Sequence, residues 1–161
     1  MNKLMIFCFI LTILLPGAAL GEESPIGKIK TGTGEVMVLR NSNESALHPG
    51  DSLYQSDIIR TRARSSVGIL FDDNTVLSLG PESEIVIEEY IFAPQQGKFS
   101  MITRMLKGTA SYLSGIIGRQ APDSVKFSTP DTTIGIRGTK FLVKVIGKAG
   151  HPPPVFLSSG P

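Results

Sequence analysis

The chain has 161 residues, a length that suits one domain and makes two full cores unlikely. Sixteen Lys+Arg against fourteen Asp+Glu give a net charge of +2, too near neutral for a general nucleic-acid binder, which needs a strongly basic face. The single cysteine, Cys8, lies in the N-terminal apolar run, so the rest of the chain has neither an internal disulfide nor a thiolate metal site.

Met1-Asn2-Lys3 opens the chain with a positive charge, and an apolar run from Leu4 to Leu15 follows, broken only by Thr12. Pro16-Gly17 ends the run, and Ala19-Leu20-Gly21 supplies small residues for a signal peptidase. This layout predicts a helical secretory signal peptide over 1–21, removed on export. A spanning helix needs about 20 apolar residues, more than this run provides, so no stable membrane insertion is expected after cleavage. The mature protein is expected in the periplasm or secreted, with one β domain over 22–146 and a flexible Pro-rich tail over 147–161.

Beyond the leader the apolar residues recur every second position, the period of a half-buried strand. Val36 and Val38 share one face, as do Val67, Ile69 and Phe71, then Leu77 and Leu79, then Ile85 and Ile87. Val125 and Phe127, Ile134 and Ile136, and Phe141, Val143 and Val145 continue the pattern. Lys98 to Leu106 has Met101, Ile102, Met105 and Leu106 at helix-like spacing, but so short a run signals a helix only weakly, and it is assigned to a strand. Turn chemistry separates the segments. His48-Pro49-Gly50-Asp51 suits a type II turn, and Asp73-Asn74 suits a tight hairpin turn between Phe71 and Val76. Gly80-Pro81 and Thr129-Pro130-Asp131 mark two further breaks. Gly and Pro together exceed the roughly 12% of an average protein, with 17 and 11 residues. The fold class is therefore all-β, a single domain of short strands in a sandwich or stacked roll.

Residues able to do chemistry are few. His48 and His151 each precede a proline, His48 as a turn residue and His151 in the tail, so neither is set up as a general base. No His-x-His or His-Glu-x-x-His spacing suggests a transition-metal site, and Asp72 to Thr75 lacks the Gly and acidic spacing of a calcium loop. No cofactor is implied. Asp72 and Asp73, with Glu82, Glu84, Glu88 and Glu89, could in principle supply paired carboxylates for sugar chemistry. However, Asp72 and Asp73 suit a turn, and Glu84 and Glu88 alternate outward from Ile85 and Ile87. Gly32-Thr33-Gly34 and Gly135-Ile136-Arg137-Gly138 have no helix behind them, so they are turns or bulges rather than phosphate cradles. Arg60, Arg62 and Arg64 are spaced to lie on one strand face. They form the candidate interaction surface, for a protein or an anionic envelope glycan, with a plain solvated face as the alternative.

The order of these segments resembles the FecR-type domain. Gly34 to Arg40 resembles that family's opening strand. Gly50-Asp51-Ser52-Leu53 and Asp57-Ile58-Ile59-Arg60-Thr61 resemble its "Gly-Asp … Asp-x-Ile-x-Thr" stretch. Val67 to Leu79 is similar to its strand, Asp-Gly-Ser hairpin and return strand, with Asn74 in place of the turn Gly. Lys107-Gly108-Thr109-Ala110 sits where a Gly-led strand is usual. Thr129-Pro130 followed by Ile134-Gly135-Ile136-Arg137-Gly138-Thr139-Lys140-Phe141 resembles the closing "Thr-Pro … Gly-x-Arg-Gly-Thr-x-Phe" signature. The similarity runs from about 34 to 145.

The resemblance implies an all-β extracytoplasmic domain for binding or signalling. Its best-known setting is the periplasmic part of anti-sigma regulators that respond to outer-membrane iron-siderophore receptors. No anti-sigma segment is read here, so the chain is not expected to relay a signal to a sigma factor by itself. Most signature residues, Asp72, Asp73, Thr129, Pro130, Gly135, Gly138, Thr139 and Phe141, are expected to be structural. The two glycines would permit unusual backbone geometry, Phe141 would fill the core, and Arg137 would reach a carboxylate or carbonyl across the sheet. The strands that commonly follow the signature are replaced by the tail, so an open edge is expected near 139–146, inviting self-association or a partner strand. The expected function is a non-catalytic extracytoplasmic binding domain, accessory to envelope signalling. The alternatives are an envelope polysaccharide-acting enzyme built on the carboxylates near 72 and 82–89, or a secreted structural or adhesion protein. Converging carboxylates would favour the enzyme, and scattered ones the binding domain.

Overall fold

A computed structural model describes residues 23–136, 138, 140–146 and 155–157; the expected signal peptide, Arg137, Thr139 and His151 lie outside them. The fold is all-β, a curled and mainly antiparallel sheet with one short helix. In chain order the strands are β1 (Gly27–Thr33), β2 (Val36–Arg40), β3 (Asn43–Ala46), β4 (Ser52–Leu53), β5 (Ile58–Thr61), β6 (Ser66–Phe71) and β7 (Val76–Leu79). They continue with β8 (Glu84–Ala93), β9 (Lys98–Leu113), helix α1 (Ile116–Gln120), β10 (Val125–Ser128), β11 (Thr133–Gly135), β12 (Lys140–Val145) and β13 (Val155–Leu157). The segment of ambiguous spacing at 98–106 is a strand, as expected, and it runs on to Leu113.

The main path through the sheet is β3-β2-β5-β8-β9-β7-β6-β1-β4. β9 belongs to two halves. Its first part pairs with β8 and, in parallel, with β10. Its second part pairs with β7 and β12. The sheet curls so that the alternating apolar sets meet inside. Val38, Ile59, Ile85, Ile87, Met101 and Phe127 come from one half, and Ile29, Ile69, Phe71, Leu77, Tyr112 and Val143 from the other; all are buried. Phe71 stacks on Tyr90 at 5.5 Å between ring centroids, and Phe127 meets Phe141 edge-on at 5.5 Å, so aromatic contacts bind one half to the other. Each such aliphatic side chain contributes roughly 1.5–3 kcal/mol by leaving water.

Both predicted turns form. Asp51 N–H donates to His48 O at 3.1 Å with Gly50 at φ 98, the geometry of a type II turn. At the Phe71–Val76 hairpin the turn sits one residue earlier than expected. Asn74 N–H donates to Phe71 O at 3.0 Å, so Asp72 and Asp73 are the central pair and Asn74 takes the left-handed position at φ 65. This is the three-residue hairpin loop that follows a type I turn, and Asn tolerates its positive φ.

Gly108 marks where β9 leaves one half for the other. The register slips between Glu84/Lys107 and Ile85/Met105, and Gly108 has φ 96. A Cβ there would lie 2.2 Å from Ser83 Oγ and 2.4 Å from Ser83 Cα, so only glycine fits this bulge. Of the two signature glycines, Gly135 differs from expectation. Gly135 lies in β11 outside the positive-φ set, and a Cβ on Gly135 or Gly138 would meet open space.

Three further features depart from the sequence reading. β1, β3 and β4 carry too few apolar positions to register as alternating, and Asn43–Ala46 is exposed throughout. Helix α1 is five residues long, too short for a helical period to show. The tail is not wholly irregular: β13 pairs antiparallel with β12, placing Leu142 opposite Leu157 and Lys144 opposite Val155. The edge of β12 expected to be open is thus occupied by β13 over Leu142–Lys144.

Candidate functional site

The three arginines do not form one stripe. β5 ends at Thr61, and the period of two stops with it. Ser65 N–H donates to Arg62 O at 3.2 Å, and Arg64 sits at φ 56, so Arg62 and Arg64 belong to an exposed turn. Arg60 alone stays on the sheet, half-buried between Glu84 at 3.1 Å and Glu44 at 3.5 Å. The hydrogen bond to Glu84 raises its pKa above the usual arginine value. Its Nε is buried with no hydrogen-bond partner.

Asp73 does more than make a turn. It is fully buried, and its carboxylate accepts four hydrogen bonds. Thr75 N–H at 3.1 Å and Tyr90 Oη–H at 3.3 Å reach Oδ1, while Thr75 Oγ1–H at 2.8 Å and Ile117 N–H at 3.1 Å reach Oδ2. Its own N–H donates to Tyr90 Oη at 2.9 Å, and its carbonyl accepts Ile116 N–H at 2.7 Å. This one residue ties the β6–β7 hairpin to β8 and to the start of α1. Burial raises the Tyr90 hydroxyl pKa, with the Asp73 charge adding to it. Burial likewise pushes Tyr112 up to about 12.

A second buried carboxylate, Asp57, holds Arg40 through two bonds of 2.7 Å and accepts Tyr54 N–H at 2.9 Å. The Arg40 guanidinium lies 4.3 Å over the Tyr54 ring, and its hydrogen bond to Asp57 raises its pKa. The pattern gives no hint of this pair, since an Asp 17 residues away joins Arg40 only once β2 and β5 align.

The carboxylates that an enzyme would use do not converge. Asp73 points inward and is saturated, Asp72 is exposed on the turn, and Glu82 is exposed at φ 52. Glu84 binds Arg60, and Glu88 binds Arg104 at 2.6 Å, both on the outer side of β8. Among the described residues, no three His, Cys, Asp or Glu side chains are grouped to hold a metal ion. His48 is a turn residue whose N–H donates to Asp51 Oδ2 at 2.7 Å. Thr129 closes the turn around Pro130, accepting Thr132 N–H at 3.2 Å. Phe141 packs on Tyr112 with ring centroids 4.8 Å apart.

What the tertiary structure does assemble is a basic groove of about 470 Å³ at the seam of the two halves, lined by Arg62, Glu82, Lys107, Gly108, Thr109 and Lys144 among others. Three crossings between the halves make it: the β5–β6 turn, the β7–β8 turn and the bulge in β9. Its floor is closely bonded. Thr61 Oγ1–H donates to Gly80 O at 2.6 Å and accepts Ser83 N–H at 2.9 Å. Thr109 N–H donates to Ser83 Oγ at 3.0 Å, Gly80 N–H to Thr109 O at 2.9 Å, and Glu82 N–H to Arg62 O at 3.2 Å. Arg62 meets Glu35 at 3.6 Å, both exposed. Lys107 and Lys144 are exposed and have no ion-pair or hydrogen-bond partner among the described residues.

Fold and site together define an all-β domain of curled sheet, with its buried acids committed to structure and two lysines unpaired among the described residues, Lys107 and Lys144, beside Arg62 at the seam. The chain belongs to the FecR family: residues 57–152, more than half of its length, match FecR protein. That family is signalling-related and generally not enzymatic. No curated protein and no solved structure matches the chain. No helix among the described residues is long and apolar enough to cross a membrane.

Proposed function

We propose that the chain is an exported, non-catalytic binding module that serves envelope signalling from the periplasm or the cell surface, docking a protein or an anionic envelope glycan. The observation that carries this reading is the commitment of the acids. Asp73 and Asp57 are buried and saturated with hydrogen bonds, while Glu84 and Glu88 are paired with arginines on an outer face. A glycosidase needs two carboxyl groups facing each other across a substrate. Membership of a signalling-related family and the free cations at the seam support recognition instead.

The test has two parts. Alkaline phosphatase fused after residue 161 is active only when exported, so activity is expected with residues 1–21 present and lost without them. A photo-cross-linking residue at position 64 of the full chain, on the same exposed turn as Arg62 but outside the groove lining, should then capture one defined envelope component. An inactive fusion, or turnover of envelope polysaccharide that Glu84→Gln or Glu88→Gln abolishes, would overturn the reading.

A further inference from the structure

We propose that the seam groove is a binding site for an acidic saccharide, a sugar bearing a phosphate or carboxylate group. The site rests on the binding-module reading and gives that module a ligand class. Arg62, Lys107 and Lys144 reach the groove from three elements distant in sequence, the β5–β6 turn, β9 and β12. Like charges brought together on a rigid floor raise the local potential, and an anion relieves it. Lys107 stands opposite Glu84 across the β8–β9 ladder, but Glu84 is engaged by Arg60. The Arg62–Glu35 pair is long and exposed, so it is weak and readily exchanged for a ligand oxyanion.

Glu82 argues for a sugar rather than a bare anion. A carboxylate in the lining beside three cations penalises a simple anion but accepts the hydroxyl groups of a saccharide. The volume of 470 Å³ lies within the range of small-ligand sites and suits one or two sugar rings. An extended peptide would need free backbone groups to pair with. Here Gly80 N–H bonds to Thr109 O, Gly80 O accepts Thr61 Oγ1–H, and the Thr109 backbone also bonds to Ser83 Oγ. Among the described residues no aromatic ring lines the groove to stack a base, as single-stranded nucleic acid would require.

Calorimetric titration of the full chain at low salt tests the site with glucose 6-phosphate, glucuronic acid, glucose and inorganic phosphate. Binding is expected for one or both charged sugars and absent for glucose, with inorganic phosphate weaker than glucose 6-phosphate. The double variant Lys107→Glu/Lys144→Glu should weaken the charged sugar by roughly tenfold or more at an unchanged melting temperature. Glu82→Ala should weaken the charged sugar while sparing phosphate. Preference for glucose 6-phosphate over glucuronic acid assigns a phosphate-bearing sugar, and the reverse a carboxylate-bearing one. No binding by either charged sugar, equal binding by the double variant, or phosphate binding as tightly as glucose 6-phosphate would overturn the saccharide site. With export and cross-linking at position 64 intact, such a failure leaves the binding module standing; failure of those two experiments removes the module whatever the titration shows.

Discussion

Replacing Asp73 by Asn probes the buried network at almost constant volume. Each carboxylate oxygen accepts one hydroxyl and one main-chain N–H, Tyr90 with Thr75 N–H on one side and Thr75 with Ile117 N–H on the other. Whichever way the Asn amide turns, its NH₂ faces one of those main-chain donors. The hydroxyl beside it can rotate to accept, but the N–H cannot. One orphaned buried N–H costs about 1–3 kcal/mol, and the remaining bonds lose the strength the charge lent them. The sum is about 3 kcal/mol, a large part of the roughly 5–15 kcal/mol that holds a domain folded. At this chain length that lowers the melting temperature by about 10 °C. Urea denaturation followed by circular dichroism should show the midpoint falling at unchanged slope. Asp72→Asn, one residue away and exposed, should leave it in place. An Asp73→Asn protein within about 0.5 kcal/mol of the parent would refute the network as a determinant of the fold.

Gly108→Ala meets both a positive φ and the Ser83 backbone, so a loss of about 2–4 kcal/mol is expected in the same assay; a neutral result would mean the bulge is absent. Arg60→Gln strips Glu84 and Glu44 of their shared cation and should cost about 1 kcal/mol, whereas Arg62→Gln with Arg64→Gln should stay within about 0.5 kcal/mol. Equal effects would restore the single stripe. Val143 is fully buried and its neighbour Leu142 is exposed, so Val143→Lys should unfold the protein while Leu142→Lys leaves a native circular dichroism spectrum. Reversal of that order would show β12 turned over in the sheet. Tyr112 stays neutral in the fold until about pH 12, while an unfolded tyrosine ionises near 10. Its contribution is therefore complete below pH 10 and is lost as the pH rises toward 12, by up to about 3 kcal/mol. Tyr112→Phe should flatten that part of the stability profile, and an unaltered slope would show that other groups set it.

Much of the fold is legible without coordinates because the strand period is local. Side chains alternate across any extended chain, so Val67, Ile69 and Phe71 or Leu77 and Leu79 declare an inner face wherever the strand ends up. The same holds for Pro49-Gly50 and Asn74, whose backbone preferences act within four residues. Arg60, Arg62 and Arg64 mark the limit of that reasoning. Spacing of two describes one face only while the strand continues, and β5 stops at Thr61. Asp73 marks another, since a turn residue and a buried hub have the same local pattern and differ in what packs above them. Sequence alone thus determined the all-β class, the inward residues of the strands that alternate, the places of the turns to within a residue, and the family. Tertiary structure decided that β9 serves both halves, that β13 returns to cover β12, and that Arg62, Glu82, Lys107 and Lys144 share one groove. Those outcomes depend on register between strands far apart in the chain, which is settled by the packing of the whole core and by no window of the sequence.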